Sequence, residues 1–236
     1  MFKWIIGASM LLSITACTTQ QITQDNTHPE LPALTLKELI PVTKPATAKA
    51  RALEASRIKK DLKRFKDQPS AAAYYVTQAK RTLNENKLDS ATYLFGKAWQ
   101  LDSLNTDVYW GFGLVYGKQK KFDKALFILY HALEKDAANP HLLKAIATSH
   151  LGRYYKQKDV SDLVESKKLL EKAQQLKPDE ADTYYKLAIN NYYLSNYRDA
   201  WKYLHQSIKQ DKKMADKVFI SALLEKQKDP MHIYRQ

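Results

Sequence analysis

The sequence predicts an all-α protein, a solenoid of about four helix-turn-helix repeats with a lead helix before them and a C-terminal capping helix behind. Three observations predict it. Glycine and proline are scarce, with 6 and 8 in 236 residues, and four of the prolines fall before residue 46. Beyond that point no stretch sustains the alternation of a strand, while apolar residues recur at helical spacing. The chain also repeats itself. The stretches "NKLDSATYLFGKAWQLD" (86–102), "KKFDKALFILYHALEKD" (120–136) and "SNYRDAWKYLHQSIKQD" (195–211) align without gaps, and Ala91 and Ala125 are 34 residues apart. Such a period marks stacked helical hairpins.

The elements follow in chain order. Lys3 precedes a run of thirteen uncharged residues, Trp4 to Ala16. A helix crossing a bilayer needs about 20, so the run fits a signal peptide over 1–16. Cys17 is the only cysteine, which excludes an intrachain disulfide, and no metal-ligand spacing surrounds it. Ile14-Thr15-Ala16-Cys17 resembles the bacterial lipobox. The resemblance implies that lipid is attached to the Cys17 sulfur and that cleavage leaves Cys17 first; the other reading is a secretory signal with an incidental cysteine. Thr18 stands where an aspartate commonly retains lipoproteins at the inner membrane, so the resemblance implies an outer-membrane protein on the periplasmic side.

The formal net charge of +13 would make nucleic acid a leading partner for a cytosolic chain. An exported lipoprotein seldom meets nucleic acid, which leaves acidic protein segments, anionic headgroups or wall polymers, or a charge that serves solubility alone. Residues 17–46 carry Pro29, Pro32, Pro41 and Pro45 and no sustained period, so they read as a flexible tether, with "LTLKELI" a weak signal for a docking turn. Across 47–69, Ala55, Ile58, Leu62 and Phe65 form an apolar stripe on a basic helix. Such a stripe packs on a neighbouring domain more often than on a membrane.

Residues 70–213 hold the four repeats. The second copy has Tyr109, Phe112, Gly113 and Tyr116, then Ala125, Leu129 and Ala132; the first has Tyr75, Ala79, Ala91, Phe95 and Ala98. The third keeps Leu143, Ile146, Ala147, Leu170, Ala173 and Pro178 but puts Ser166 at an alanine place. The fourth keeps Tyr184, Leu187, Ala188, Ala200 and Leu204, with Ser207 where alanine is usual. This pattern resembles the tetratricopeptide repeat. Small residues let the two helices of a hairpin approach, and large ones fill the space between hairpins. In the third copy Ala147 lies nineteen residues before Ser166, whereas Gly113 lies twelve before Ala125. The seven extra residues are close to two helical turns, so the hairpin should project with Tyr154 and Tyr155 on it, a possible second contact surface or a length variant. Residues 214–236 give a capping helix and a loose tail.

Catalytic chemistry is hard to place. The six histidines lack paired ligand spacing, and no phosphate loop or nucleophile motif appears, so neither an enzyme, a metal nor a cofactor beyond the Cys17 lipid is expected. Tetratricopeptide stacks bind along the face of their first helices. Register puts Val76, Thr77 and Lys80; Trp110, Leu114 and Lys118; His141, Lys144, Ala145 and Thr148; and Tyr185, Lys186, Ile189 and Tyr192 on that face. Aromatic and basic groups together suit an extended peptide with acidic and apolar side chains. A one-residue shift would exchange Trp110 for Tyr109, and the alignment favours Trp110 because Tyr109 falls at the packing aromatic. The asparagines of the carboxylate clamp are absent. The architecture resembles that of envelope adaptors, among them pilotins and organisers of wall hydrolases. The expected function is therefore a membrane-anchored, non-catalytic scaffold for an envelope protein or peptide. The alternatives are a permanent subunit of a pilus or secretion machine, or a wall-associated enzyme.

Overall fold

The computed structural model describes residues 34–42 and 47–235, apart from the side chain of residue 61. The signal peptide, Cys17 and the tether from 17 to 33 and from 43 to 46 lie outside the described residues. Among those described there are eleven α-helices and no strand: α1 (Leu36–Leu39), α2 (Ala48–Leu62), α3 (Gln68–Asn84), α4 (Leu88–Leu101), α5 (Thr106–Lys118), α6 (Phe122–Lys135), α7 (Pro140–Gln157), α8 (Val160–Leu176), α9 (Ala181–Tyr193), α10 (Tyr197–Gln210) and α11 (Lys217–Lys226). Helices α3 to α10 pair into four hairpins, each packed on the next. No helix of the described residues is long and apolar enough to cross a membrane.

Local chemistry sets the helix ends. Asp67, Asn105, Asn139 and Asp159 accept hydrogen bonds from backbone N–H groups in the first turns of α3, α5, α7 and α8, and proline follows within two residues at α3 and α7. These caps satisfy donors that the helix itself leaves unpaired. Each hairpin then turns through one residue of positive φ: Asn86, Lys120, Lys158 and Ser195.

The seams are built as the repeat pattern requires. Ala79, Ala91, Ala125, Ala147, Ala188 and Ala200 are fully buried. At Gly113 a methyl group would overlap the Leu129 side chain of the partner helix, so only glycine allows that approach. Ser166 and Ser207 are buried where alanine is usual, and each hydroxyl donates to a backbone carbonyl, of Ala147 and Ala181, at 2.8 Å. That satisfies a hydroxyl which would otherwise be costly to bury.

The third hairpin has helices of 18 and 17 residues, against 13 and 14 in the second. The longer part encloses a buried polar network. His150 and Asp162 are fully buried and Arg153 nearly so. His150 Nδ1 lies 2.6 Å from Asp162 Oδ1, and its Nε2 lies 2.8 Å from the Tyr130 hydroxyl of α6. The Arg153 guanidinium donates to both Asp162 oxygens, Nη2 reaching Oδ1 at 2.7 Å, and Nη1 reaches Asp123 of α6 at 3.1 Å. The extra turns are thus tied back to the second hairpin through charges.

Three expectations are corrected. The tether expected over 17–46 does not stay free throughout: Leu34 to Val42 pack on the stack, with Leu39 fully buried, the Leu39 carbonyl accepting from the Tyr116 hydroxyl, and Val42 against Gly96. Apolar residues between the prolines outweigh the breaker signal there. The tail is not loose. Asp229, buried, accepts from the backbone N–H of Met231, Ile233 and Tyr234 at 2.9 to 3.0 Å, closing the tail into a turn over α10. Helix α2 rests on the core through Ile58 and Leu62, followed by Phe65, but Ala55 is exposed.

Candidate functional site

The face made by the first helices carries an open recess of about 440 Å³. Trp110, Leu114 and Lys118 enter it from α5, His141 and Lys144 from α7, and Lys186 from α9. Three successive hairpins therefore contribute, each holding its residues on a packed helix, with α5 and α7 capped by Asn105 and Asn139. Trp110 is half-buried and Tyr109 is only 4% exposed. The Tyr109 hydroxyl donates to the Ser103 carbonyl and receives the Trp99 indole N–H, so Tyr109 packs toward the second helices while Trp110 faces the recess. Val76, expected on this face, is instead 3% exposed within the core. Thr77 is exposed and lies outside the recess, while Ala145 and Thr148 line it.

The cations are matched more closely than the sequence suggests. Lys80 sits 4.9 Å from the Trp110 ring centroid and 3.0 Å from Asp107. Lys144 contacts Glu180 at 2.7 Å and Asp182 at 3.1 Å, and Lys186 also pairs with Asp182. Burial pushes the Lys144 ammonium down, but the two carboxylates outweigh it and hold its pKa above the ordinary value. Burial likewise raises Glu180 and Asp182, and their lysine partners bring both below the usual carboxylate range. The expectation that Lys144 and Lys186 stand free to steer an acidic segment is therefore corrected: their charge is already met within the chain. Lys118 and His141 are exposed and have no ion-pair partner among the described residues. The Lys186–Asp182 pair was visible as an i,i+4 spacing, whereas Lys144–Glu180 joins two hairpins and leaves no local signal.

Tyr185, Ile189 and Tyr192 lie outside the recess, all half-buried. The Tyr185 hydroxyl donates to Asp216 at 2.7 Å and its ring meets Phe219 of α11, so it secures the capping helix. Tyr192 touches Phe219 and Tyr193, and Tyr193 touches both Tyr154 and Tyr155. The aromatic rings expected on the long hairpin thus join the first-helix face in one belt. Among the described residues no group of three or more His, Cys, Asp or Glu is placed to hold a metal ion.

Comparison with protein-family models finds no match, and comparison with curated proteins finds none either. Solved structures do match. A thermophilic TPR protein of Thermus thermophilus superposes with a TM-score of 0.59 at 12% identity, covering 68% of this chain and 93% of its own. PilF of Pseudomonas aeruginosa gives 0.58 at 19% identity, with 68% and 70% covered. A double mutant of MamA RS-1 gives 0.51 at 18% identity, with 70% and 87% covered. At these identities the likeness speaks for the fold, and the fold is a tetratricopeptide-repeat solenoid.

Proposed function

We propose that the protein is a non-catalytic adaptor, anchored in the outer membrane by lipid on Cys17, which holds an envelope protein or peptide on its first-helix face. The recess that joins Trp110, Leu114, Lys118, His141, Lys144 and Lys186 from three hairpins supports the partner-holding part of this reading, and the lipobox-like Ile14-Thr15-Ala16-Cys17 supports the anchor. Its near-neutral balance suits a peptide that inserts an apolar side chain against Trp110 and offers one carboxylate or carbonyl to Lys118 and His141. Large aromatic side chains held in place but not fully buried are the usual anchors of such contacts.

The test is capture of the partner from periplasmic extract, followed by its titration against variants. Trp110→Ala should fold normally and weaken binding by roughly 2 kcal/mol or more. Undiminished binding would remove the site from this face. The anchor is tested separately. Cys17→Ser should abolish incorporation of labelled fatty acid and release the protein from membranes, and equal labelling of the variant would end the lipid assignment. A second reading, a pilotin or permanent subunit of a pilus machine, is prompted by PilF among the structural neighbours. It requires the captured partner to stay bound at fixed stoichiometry through purification.

A further inference from the structure

We propose that the C-terminal end of the solenoid, between α10 and the folded tail, is a second docking site, for an acidic amphipathic helix of a partner protein. The repeat alignment places Trp201 and His205 of α10 where α6 has Leu126 and Tyr130. In α6 both are covered by the next hairpin: Leu126 is fully buried and the Tyr130 hydroxyl meets His150. After α10 the described chain supplies a short 3-10 turn (Lys212–Met214), then α11, which packs through Phe219, Ile220 and Leu223, and then the tail. The Trp201 indole donates to the Gln227 carbonyl at 3.0 Å, and Tyr234 stacks over Trp201 and His205 at 6.1 and 6.0 Å. This cover buries Trp201 fully but leaves apolar side chains of the tail itself open. A cavity of about 830 Å³ remains between α10 and the tail, with Met231 and Ile233 beside it at 62% and 58% exposed.

Charge indicates what fills it. Arg198, Lys202, Lys209 and Lys212 line the cavity against one exposed carboxylate, Asp199, and none of the four cations has an ion-pair partner among the described residues. The lysines of the first-helix face are mostly matched by carboxylates; these are not. The exposed Met231 and Ile233 inside an unmatched basic rim select a ligand with apolar knobs and carboxylates around them. From Arg198 to Lys209 the rim follows α10 for about 16 Å, roughly three turns of an incoming helix. A second copy of this chain, at +13, would be repelled. A flat bilayer surface would leave the recess between α10 and Tyr234 unfilled, whereas the side chains of a helix enter it.

A short fluorescein-labelled helical peptide that combines glutamates with leucine and phenylalanine is the probe, titrated into the full chain by anisotropy. It should bind, and should weaken at least about tenfold in Lys202→Glu with Lys209→Glu and in Ile233→Asp, with a steep loss on added salt. Trp110→Ala should leave it unchanged, so this site and the first-helix recess fail or succeed separately. A peptide with lysines in place of glutamates should not bind. Equal binding of both peptides, or affinity untouched by the α10 charge reversals, would overturn the proposal. So would vesicles of anionic phospholipid that bind through Lys202 and Lys209 while the acidic peptide does not.

Discussion

Ala125→Glu should remove the cooperative fold of the second hairpin and of the stack around it. Ala125 is fully buried in the core, in the seam between α5 and α6, where Gly113 brings the backbones so close that Leu129 fills the space a methyl would need. A glutamate has no room there. Burying an unpaired carboxylate costs several kcal/mol even after it takes up a proton, and overpacking adds about 1–3. Against a typical domain stability of about 5–15 kcal/mol, the two together approach the whole. Because each hairpin is stable only through its neighbours, the loss should spread rather than stay local. Far-UV circular dichroism should show reduced helix and a lowered or absent melting transition. An unchanged melting temperature would show that position 125 does not lie in a seam.

Legibility in the sequence followed the reach of the interactions. The seam alanines, the choice of Trp110 over Tyr109 and the extra turns of the third hairpin all rest on spacing within one or two repeats, and spacing is what a sequence displays. Val76 misled because a small shift of register moves a residue from face to core. The neutralisation of Lys144 by Glu180 spans two hairpins, and nothing in either segment announces it. The tail misled for a related reason. "DPMHIYRQ" has the composition of a loose end, and its order comes from Asp229 accepting three backbone N–H groups while Tyr234 finds a stack that exists only once α10 is folded. The segment from Leu34 to Val42 is likewise ordered by the surface it meets, with Leu39 and Ile40 buried between prolines that argue for disorder.

Arg153→Met should be the most damaging change that leaves the repeat pattern untouched. Asp162 is fully buried, and burial alone would raise its pKa; the hydrogen bonds from His150 and Arg153, with the guanidinium charge, outweigh burial and hold it below its ordinary value of 3.8. A depressed carboxylate contributes stability that is complete above that ordinary value and is lost as pH falls through the folded value. The parent protein should therefore resist acid down to about pH 4, and Glu180, Asp182 and Asp229, all lowered, should act in the same direction. Removing the guanidinium takes three hydrogen bonds and the balancing charge from Asp162 at once. Stripping one partner from a buried pair typically costs about 3–5 kcal/mol. Burial then dominates at Asp162, so the variant should begin to unfold at a higher pH than the parent. Arg153→Met combined with Asp162→Leu should recover part of the loss, because an apolar pair leaves one His150 nitrogen unbonded, at about 1–3 kcal/mol, rather than a bare charge. Denaturant titrations of the parent and both variants across the acid range provide the measurement. If the single variant matches the parent in both midpoint and pH profile, the extra turns of α7 and α8 are held by their apolar contacts alone, and the buried network only fills the space between them.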